Sequence, residues 1–186
     1  MGGGRGSCLN YGALFAKAKV LTFLHSDTFL PDAWDDMILQ ALHGTDGDGR
    51  RANVCAFHLG IHPTEPGTSC APGLVGAYTV LGFIRCNWCS IPYGDSALSM
   101  PAQYFHHLGG YPDQPLMEDY ELVTLLRKRA QLLQERIVLL PANVSCSPRR
   151  WQSCGVCYTT LVNALCVHRY KNGVTAEELF RFYYRC

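Results

Sequence analysis

The run Val20-Leu-Thr-Phe-Leu-His25 constrains the fold more than any other part of the sequence. It is rich in residues that favour β-structure, and it is apolar at almost every position. Strands with one solvated face alternate apolar and polar residues, so a continuous apolar run predicts a strand that is buried on both faces. The chain is therefore expected to build a sheet that is covered by helices.

Other segments of the chain extend this interpretation to a mixed α/β fold. Strands are also predicted at 53–59, 97–100 and 137–140. Helices are predicted after Asp32, which is expected to be the N-cap residue, at 74–89, at 101–108, from Glu118 onward, at 154–170, and after the capping box Thr175-Ala-Glu-Glu178. Because strands and helices are interspersed, we predict a single α/β domain over residues 1–186, with a mixed sheet flanked by helices and a helical C-terminus.

Composition narrows the classes of protein to which the chain can belong. Its 186 residues are 48% hydrophobic and 17% charged, which is typical of a globular domain with a core. The net charge of +1 gives no broad field that would attract nucleic acid. No apolar run approaches the roughly 18 residues of a membrane span, and the N-terminus has no apolar signal core. We expect no nucleic-acid partner, no transmembrane segment and a cytoplasmic location.

Ten cysteines are scattered through apolar segments, which is typical of buried free thiols in a reducing compartment. Two pairs have the CxxC spacing, Cys86 with Cys89 and Cys154 with Cys157. Such pairs bind zinc in knuckles, but here they lie in predicted helices without glycine-rich turns. A zinc site is kept as an alternative.

Asp27 comes directly after the carboxyl end of the first predicted strand. Ligands of open α/β sheets bind at the carboxyl ends of strands. A carboxylate there, beside His25 and Ser26, could hold a hard divalent cation and, through it, phosphate groups. The alternative is a turn aspartate of the common strand-end kind. Asp27 is our candidate metal ligand.

Tyr93-Gly94-Asp95 forms a tight loop before the predicted strand at 97–100. Gly94 permits a sharp backbone turn, which would aim Tyr93 and Asp95 outward. An ordinary turn acid is the alternative. We treat Tyr93 and Asp95 as candidates for the acceptor side of a site.

Glu118 and Asp119 begin a segment with helical spacing, after a turn-rich stretch. A carboxylate at the start of a helix is stabilised by unpaired backbone N–H groups and by the helix dipole. Asp119 is therefore either a helix cap or a rigidly held general base.

Arg149-Arg150-Trp151 combines two guanidinium groups with a flat apolar ring. The planar fork of arginine suits phosphate oxygens, and a tryptophan face stacks on a sugar or a base. A solvated basic loop with one core tryptophan is the alternative.

In chain order, the candidate residues supply a metal ligand, an acceptor-side acid, a general base and a diphosphate clamp, which is the set that transfer of a sugar from a nucleotide diphosphate requires.

Several motifs along the chain match one known family. They are Leu9-Asn10 with Gly12-Ala13, Leu24-His-Ser-Asp-Thr28 with Leu30-Pro31, Pro92-Tyr-Gly-Asp95, Gly109-Gly-Tyr-Pro112, Pro115-Leu-Met-Glu-Asp119 with Glu121-Leu-Val123, Arg149-Arg-Trp151, Thr159-Thr-Leu161, and Tyr170 with Gly173-Val174. With these motifs the sequence resembles the family 2 glycosyltransferases of the GT-A fold, and within them the group named for its association with radical-SAM/selenodomain proteins. The acidic pair is common across family 2, whereas its combination with the Pro-Tyr-Gly-Asp and Arg-Arg-Trp motifs is more specific.

The resemblance implies a GT-A-like sheet and a role for each candidate residue. Asp27 resembles the metal-binding acid, and Asp119 resembles the catalytic base with Glu118 beside it. Tyr93 and Asp95 are similar to residues on the acceptor side.

On the donor side, Arg149, Arg150 and Trp151 resemble the loop that closes on the diphosphate. The implied ligands are Mg²⁺ or Mn²⁺, a nucleotide-sugar donor and a hydroxyl acceptor, and the implied reaction inverts the anomeric centre.

The start of the chain departs from the family pattern. Family members begin with two strand–helix units that hold the nucleotide base, and this sequence begins where those units end. Cys8 stands where a polar residue is expected, and His25-Ser26-Asp27 has one acid where many members have two. We expect an N-terminally truncated GT-A-like domain, with an inactive remnant that acts as a binding or interaction module as the alternative function.

Overall fold

A computed structural model of the protein describes residues 4–45, 47, 49–61, 92 and 94–184. The elements in chain order are α1 (Arg5–Phe15), β1 (Val20–Phe23), β2 (Thr28–Phe29), α2 (Trp34–His43), β3 (Ala52–Ile61), a 3₁₀ turn (Gly94–Ser96), β4 (Leu98–Pro101), α3 (Ala102–His107), α4 (Glu118–Leu133), β5 (Arg136–Cys146), α5 (Arg149–Cys154), α6 (Val156–Lys171) and α7 (Ala176–Tyr184). The predicted mixed α/β class is confirmed. The predicted helix at 74–89 lies outside the described residues.

The five strands form one mixed sheet in the order β1-β4-β3-β5-β2. β3 and β5 are parallel, and the other neighbouring pairs are antiparallel. It follows that β1, β3 and β5 run in the same direction. Their carboxyl ends form one edge of the sheet, which here means the row of strand ends and not an outer strand. β4 and β2 start at that same edge, so the segments around residues 27, 95 and 147 meet there.

Helices cover both faces of the sheet. Side chains of α1, α3 and α4 pack on the face that includes Val54 and Ala56 of β3. Ile38 of α2 packs on the opposite face, against Cys55, Phe57 and Leu59. β3 is therefore buried on both faces.

β1, in contrast, alternates partly buried and buried residues and lies first in the strand order. Within the described part of the chain it pairs with β4 alone. Its apolar run correctly predicted a strand, but burial on both faces was the wrong expectation for this strand.

The C-terminal part of the described chain is helical, as predicted. A third apolar cluster joins Val162 and Cys166 of α6 and Leu179 of α7 to residues at the start of α4. The predicted capping box is confirmed: the Thr175 amide donates to Glu178 Oε2 at 3.2 Å, and the Glu178 amide donates to Thr175 Oγ1 at 3.3 Å. None of the helices in the described ranges is long and apolar enough to span a membrane.

Two helix starts differ from prediction. α2 begins at Trp34, and its cap position is Ala33 in the left-handed conformation (φ 54°), so Asp32 does not cap it. Arg149-Arg150-Trp151 is the first half of α5 and not a loop, and Gly155 (φ 84°) separates α5 from α6. A left-handed glycine at this break ends the first helix without the steric strain that a side chain would add.

Candidate functional site

Asp27 lies beside the segment that follows β5. The Ser147 amide donates to the Asp27 carbonyl at 3.1 Å, and Thr28 pairs with Cys146 in the sheet. Asp27 Oδ2 accepts a hydrogen bond from Arg149 Nη2 at 3.4 Å. The Asp27 and Arg149 side chains are 40% and 67% exposed, so both remain open to a ligand. The predicted metal ligand and the first residue of the predicted diphosphate clamp are thus brought together.

The 3₁₀ turn at Gly94–Ser96 lies against the same edge of the sheet. A Cβ atom on Gly94 would stand 2.7 Å from His25 Nε2, so the ring that precedes Asp27 lies directly against the turn. Cys146 Sγ at the end of β5 donates to the Asp95 carbonyl at 3.4 Å. Asp95 is therefore near the ends of β1 and β5, with its side chain partly buried. Tyr93 lies outside the described residues.

Asp119 stands in the first turn of α4 and faces the same turn. Its Oδ2 accepts from the Gly94 amide at 3.4 Å, and its Oδ1 accepts from the Tyr120 amide at 2.7 Å. The cap position of α4 is Met117, so Asp119 is not the cap residue.

Glu118 has the opposite surroundings. Its side chain is only 2% exposed, and its Oε1 lies 2.8 Å from Arg5 Nε. Burial, followed by the charge of Asp119, raises the pKa of Glu118, and Arg5 offsets part of that rise. Glu118, predicted as a catalytic residue, faces inward and supports the start of α4 without facing the open edge.

The three predicted diphosphate residues point in different directions. Arg149 faces Asp27, whereas the Arg150 guanidinium lies 3.9 Å from the centre of the Tyr183 ring on α7. Trp151 packs against the apolar cluster between the sheet and α2. Successive side chains of a helix are rotated by about 100° about its axis, so residues in α5 cannot all face one ligand.

A set of residues on α1 was not predicted to matter for the site. Asn10 holds the loop before α4 with two hydrogen bonds of 2.8 Å, one to the Tyr111 carbonyl and one from the Tyr111 amide. Ser7 Oγ donates to Asp113 Oδ1 at 2.6 Å. Asn10 belongs to one of the family-like motifs, but its role depends on a contact between segments about 100 residues apart, which local sequence does not reveal.

Carboxylate oxygens are the type of ligand that a hard cation takes, and Asp27 presents a partly exposed carboxylate at this edge. Within the described ranges no cluster of three or more His, Cys, Asp or Glu side chains is arranged to hold a metal ion. Magnesium commonly binds through one or two carboxylates together with substrate phosphates, so a single open carboxylate such as Asp27 is compatible with it. For the zinc alternative, Cys154 and Cys157 are exposed free thiols, and Cys86 and Cys89 lie outside the described residues.

A shallow concavity at the other end of α4 shares no residue with this edge; it is lined by Arg50, Ala130, Gln131, Gln134 and Glu135. We assign the candidate site to the sheet edge, because the segments that carry Asp27, Asp95, Asp119 and Arg149 meet there. Comparison with protein-family models, with curated proteins and with solved structures found no match to this chain.

Proposed function

We propose that the chain transfers a sugar from a nucleotide-diphosphate donor to an acceptor hydroxyl, with inversion and with dependence on a divalent cation. The observation that supports it best is the convergence of Asp27, Asp95, Asp119 and Arg149 at one edge of the sheet, from four separate segments. These residues combine oxygen ligands, a carboxylate base and a guanidinium, which is the set that this chemistry needs.

On the donor side, Asp27 would hold the cation. A bound Mg²⁺ or Mn²⁺ would supply positive charge that offsets the charge on the departing diphosphate. Arg149 is exposed, and its Nε donates to Ser147 Oγ at 3.0 Å while its Nη2 donates to Asp27 Oδ2 at 3.4 Å. These two contacts orient the guanidinium beside Asp27, where its outer N–H groups would bind phosphate oxygens. Arg150 would join it only after leaving the Tyr183 ring.

On the acceptor side, Asp119 removes the proton of the attacking hydroxyl. The hydroxyl oxygen forms a bond to the anomeric carbon as the bond from that carbon to the diphosphate oxygen breaks, and the pair of electrons leaves with the diphosphate. Attack from the opposite face inverts the configuration. Backbone amides of Gly94 and Tyr120 hold Asp119 in one orientation, which general base catalysis requires. Asp95, with Tyr93, would bind the acceptor.

The decisive experiment compares Asp119→Asn with Glu121→Gln. Glu121 is an exposed acid on the same helix, so its variant controls for loss of charge near the site. Both variants are assayed with a panel of nucleotide sugars, Mn²⁺ and simple hydroxyl acceptors. Loss of a general base predicts a fall in kcat of about 10²- to 10⁴-fold for Asp119→Asn and little change for Glu121→Gln. Unchanged transfer by Asp119→Asn at saturating donor would refute the proposal.

A second candidate function, of a different class, is a catalytically inactive domain that acts as a binding or interaction module. It is favoured by the inward contacts of Arg150 with Tyr183 and of Trp151 with the core, which leave two of the three predicted clamp residues engaged within the protein. Calorimetry with UDP, GDP and ADP in the presence of Mn²⁺ separates the two functions. Metal-dependent binding of a nucleotide counts against the second function, and absence of binding of all three nucleotides counts against the first.

A further inference from the structure

We propose that Arg5 is a positioning residue for the acidic pair: by pairing with Glu118 it fixes the first turn of α4 and so holds the Asp119 carboxylate against Gly94. The catalytic role of Asp119 rests on the proposed function. The position of its carboxylate rests only on the Arg5–Glu118 ion pair and on the hydrogen bond from the Gly94 amide.

The Arg5–Glu118 pair joins the first residues of two helices. Arg5 begins α1, Glu118 begins α4, and Arg5 Nε lies 2.8 Å from Glu118 Oε1. Glu118 Oε2 is buried and has no hydrogen-bond partner within the described part of the chain. Arg5 is thus the cationic group that offsets a buried carboxylate, and removal of such a partner leaves that charge uncompensated.

Glycines on both sides of Arg5 allow this close approach. A Cβ atom on Gly4 would stand 2.5 Å from the Gln114 carbonyl oxygen. A Cβ atom on Gly6 would stand 2.9 Å from the Pro112 carbonyl oxygen and 3.2 Å from Glu118 Cβ. Glycine is a poor helix former, so its presence at the start of α1 has its explanation in this contact with the loop before α4.

The start of α4 needs external support. Its cap residue, Met117, adopts a left-handed conformation (φ 67°) and makes no side-chain capping hydrogen bond. That conformation is uncommon for a residue other than glycine and persists only when the surroundings enforce it. Glu118 and Asp119 are adjacent like charges, so a free first turn would relax by turning Glu118 toward solvent. The same backbone rotation would carry Asp119 away from Gly94.

Other contacts of α1 serve as matched controls. Ser7 donates to Asp113 in the loop before α4 and is not a member of the Arg5–Glu118 ion pair. Ser7→Ala therefore loosens the same helix on the same loop without removing the ion pair. Arg5→Met removes the charge while keeping much of the side-chain length, and Arg5→Lys restores the charge.

The first measurement requires no substrate. The backbone amide resonances of Gly94 and Tyr120, which donate to Asp119, are followed by NMR together with the titration of the Glu118 carboxyl. Charged and titratable groups near the pair are Asp119 and Tyr111 beside Glu118, and Asp119, Tyr183 and Tyr184 beside Arg5.

Arg5→Met is expected to shift the amide resonances of Gly94 and Tyr120 and to raise the pKa of Glu118. Arg5→Lys is expected to return the resonances and the pKa part of the way to their wild-type values. Ser7→Ala is expected to change neither the resonances nor the pKa. Wild-type values in Arg5→Met, or the same changes in Ser7→Ala, would overturn the proposal. If Arg5→Met does not fold, Glu118→Gln breaks the same pair and is expected to shift the same amides; unshifted amides in that variant would also overturn it.

The second measurement uses catalysis. A small misplacement of a reacting group costs about 10²-fold in rate, so Arg5→Met is expected to lower kcat by roughly 10- to 100-fold while the affinity for Mn²⁺ with UDP stays unchanged. An unchanged kcat would count against the positioning role. If the wild-type protein neither binds nucleoside diphosphates nor transfers sugar, the proposed function fails, and the NMR results still decide the role of Arg5.

Discussion

At the scale of single residues, the site depends on two adjacent acids with opposite surroundings. Glu118 is buried against Arg5, whereas Asp119 is partly exposed beside Gly94. The acidic pair was recognised in the sequence, with Asp119 as the candidate base and Glu118 beside it, but the inward direction of Glu118 was not predicted. Which of two neighbouring side chains turns inward depends on the direction of α4, and that direction is set by α1, a partner more than 100 residues earlier in the chain.

The ion pair predicts a pH-dependent loss of stability in Arg5→Met. The folded-state pKa of Glu118 is raised above its ordinary value, so the stability it contributes is present below that ordinary value and is lost as pH rises through the folded pKa. Removing Arg5 raises the folded pKa further. The variant should therefore lose more stability at pH 7 than at pH 4, by about 1–3 kcal/mol.

Urea unfolding of wild type and Arg5→Met at the two pH values measures this difference. The same comparison in a Glu118→Gln background is the control, because without the carboxyl group the difference between pH 7 and pH 4 should disappear. Equal losses at both pH values in the original background would contradict the explanation.

Two glycines are expected to respond to alanine with opposite signs. At Gly94 an added Cβ would stand 2.7 Å from His25 Nε2, so Gly94→Ala should lower the free energy of unfolding by about 1–3 kcal/mol. At Gly12 of α1 no atom of the described residues, outside the chain neighbours and the backbone of α1 itself, lies within 4 Å of the added Cβ, so Gly12→Ala should stabilise the helix by up to about 1 kcal/mol. Thermal unfolding of the two variants checks the signs, and a stabilised Gly94→Ala would show that His25 moves away at little cost.

At the scale of elements, the C-terminal capping box was predictable because it is local: Thr175 and Glu178 lie one turn apart and need no distant partner. The start of α2 was not predictable in this way. Its cap position is Ala33, in a left-handed conformation, whereas the local sequence assigned the cap to Asp32. α5 is a similar case. Arg149, Arg150 and Trp151 were expected to lie in a loop, and the helix instead distributes them around its axis.

This distribution makes a prediction about the two arginines. Arg149→Gln should weaken binding of Mn²⁺ with UDP roughly 10-fold or more and leave stability nearly unchanged, since its pair with Asp27 is exposed. Arg150→Gln should instead lower stability by about 0.5–2 kcal/mol, since it loses the Tyr183 ring, and should affect binding less. Calorimetry and urea unfolding on both variants give the two readouts. If Arg150→Gln weakened binding and Arg149→Gln lowered stability, Arg150 would be the arginine that turns outward to bind the diphosphate.

At the scale of the whole molecule, the presence of strands was readable from apolar runs, and their order was not. The run at Val20 and the run at 53–59 look alike in sequence, yet β1 lies first in the strand order and β3 lies in the middle, buried on both faces. Strand order is decided by pairings between distant segments, such as β3 with β5. The expectation that Asp27 follows the carboxyl end of a strand was more robust, since it requires only the apolar run that ends before it and not the order of the strands.

The common direction of β1, β3 and β5 predicts a concerted response to ligand. If Asp27, Asp95, Asp119 and Arg149 form one site, Mn²⁺ with UDP should slow amide hydrogen exchange in all four segments together, at 25–29, 94–96, 118–121 and 145–150. The concavity at the far end of α4, around 130–135, should be unaffected and serves as the internal reference. UDP with EDTA in place of Mn²⁺ should give little protection, because the cation is expected to link Asp27 to the phosphates. Protection confined to a single segment would mean that these residues do not act on one ligand, and the cluster would then be a feature of the fold alone.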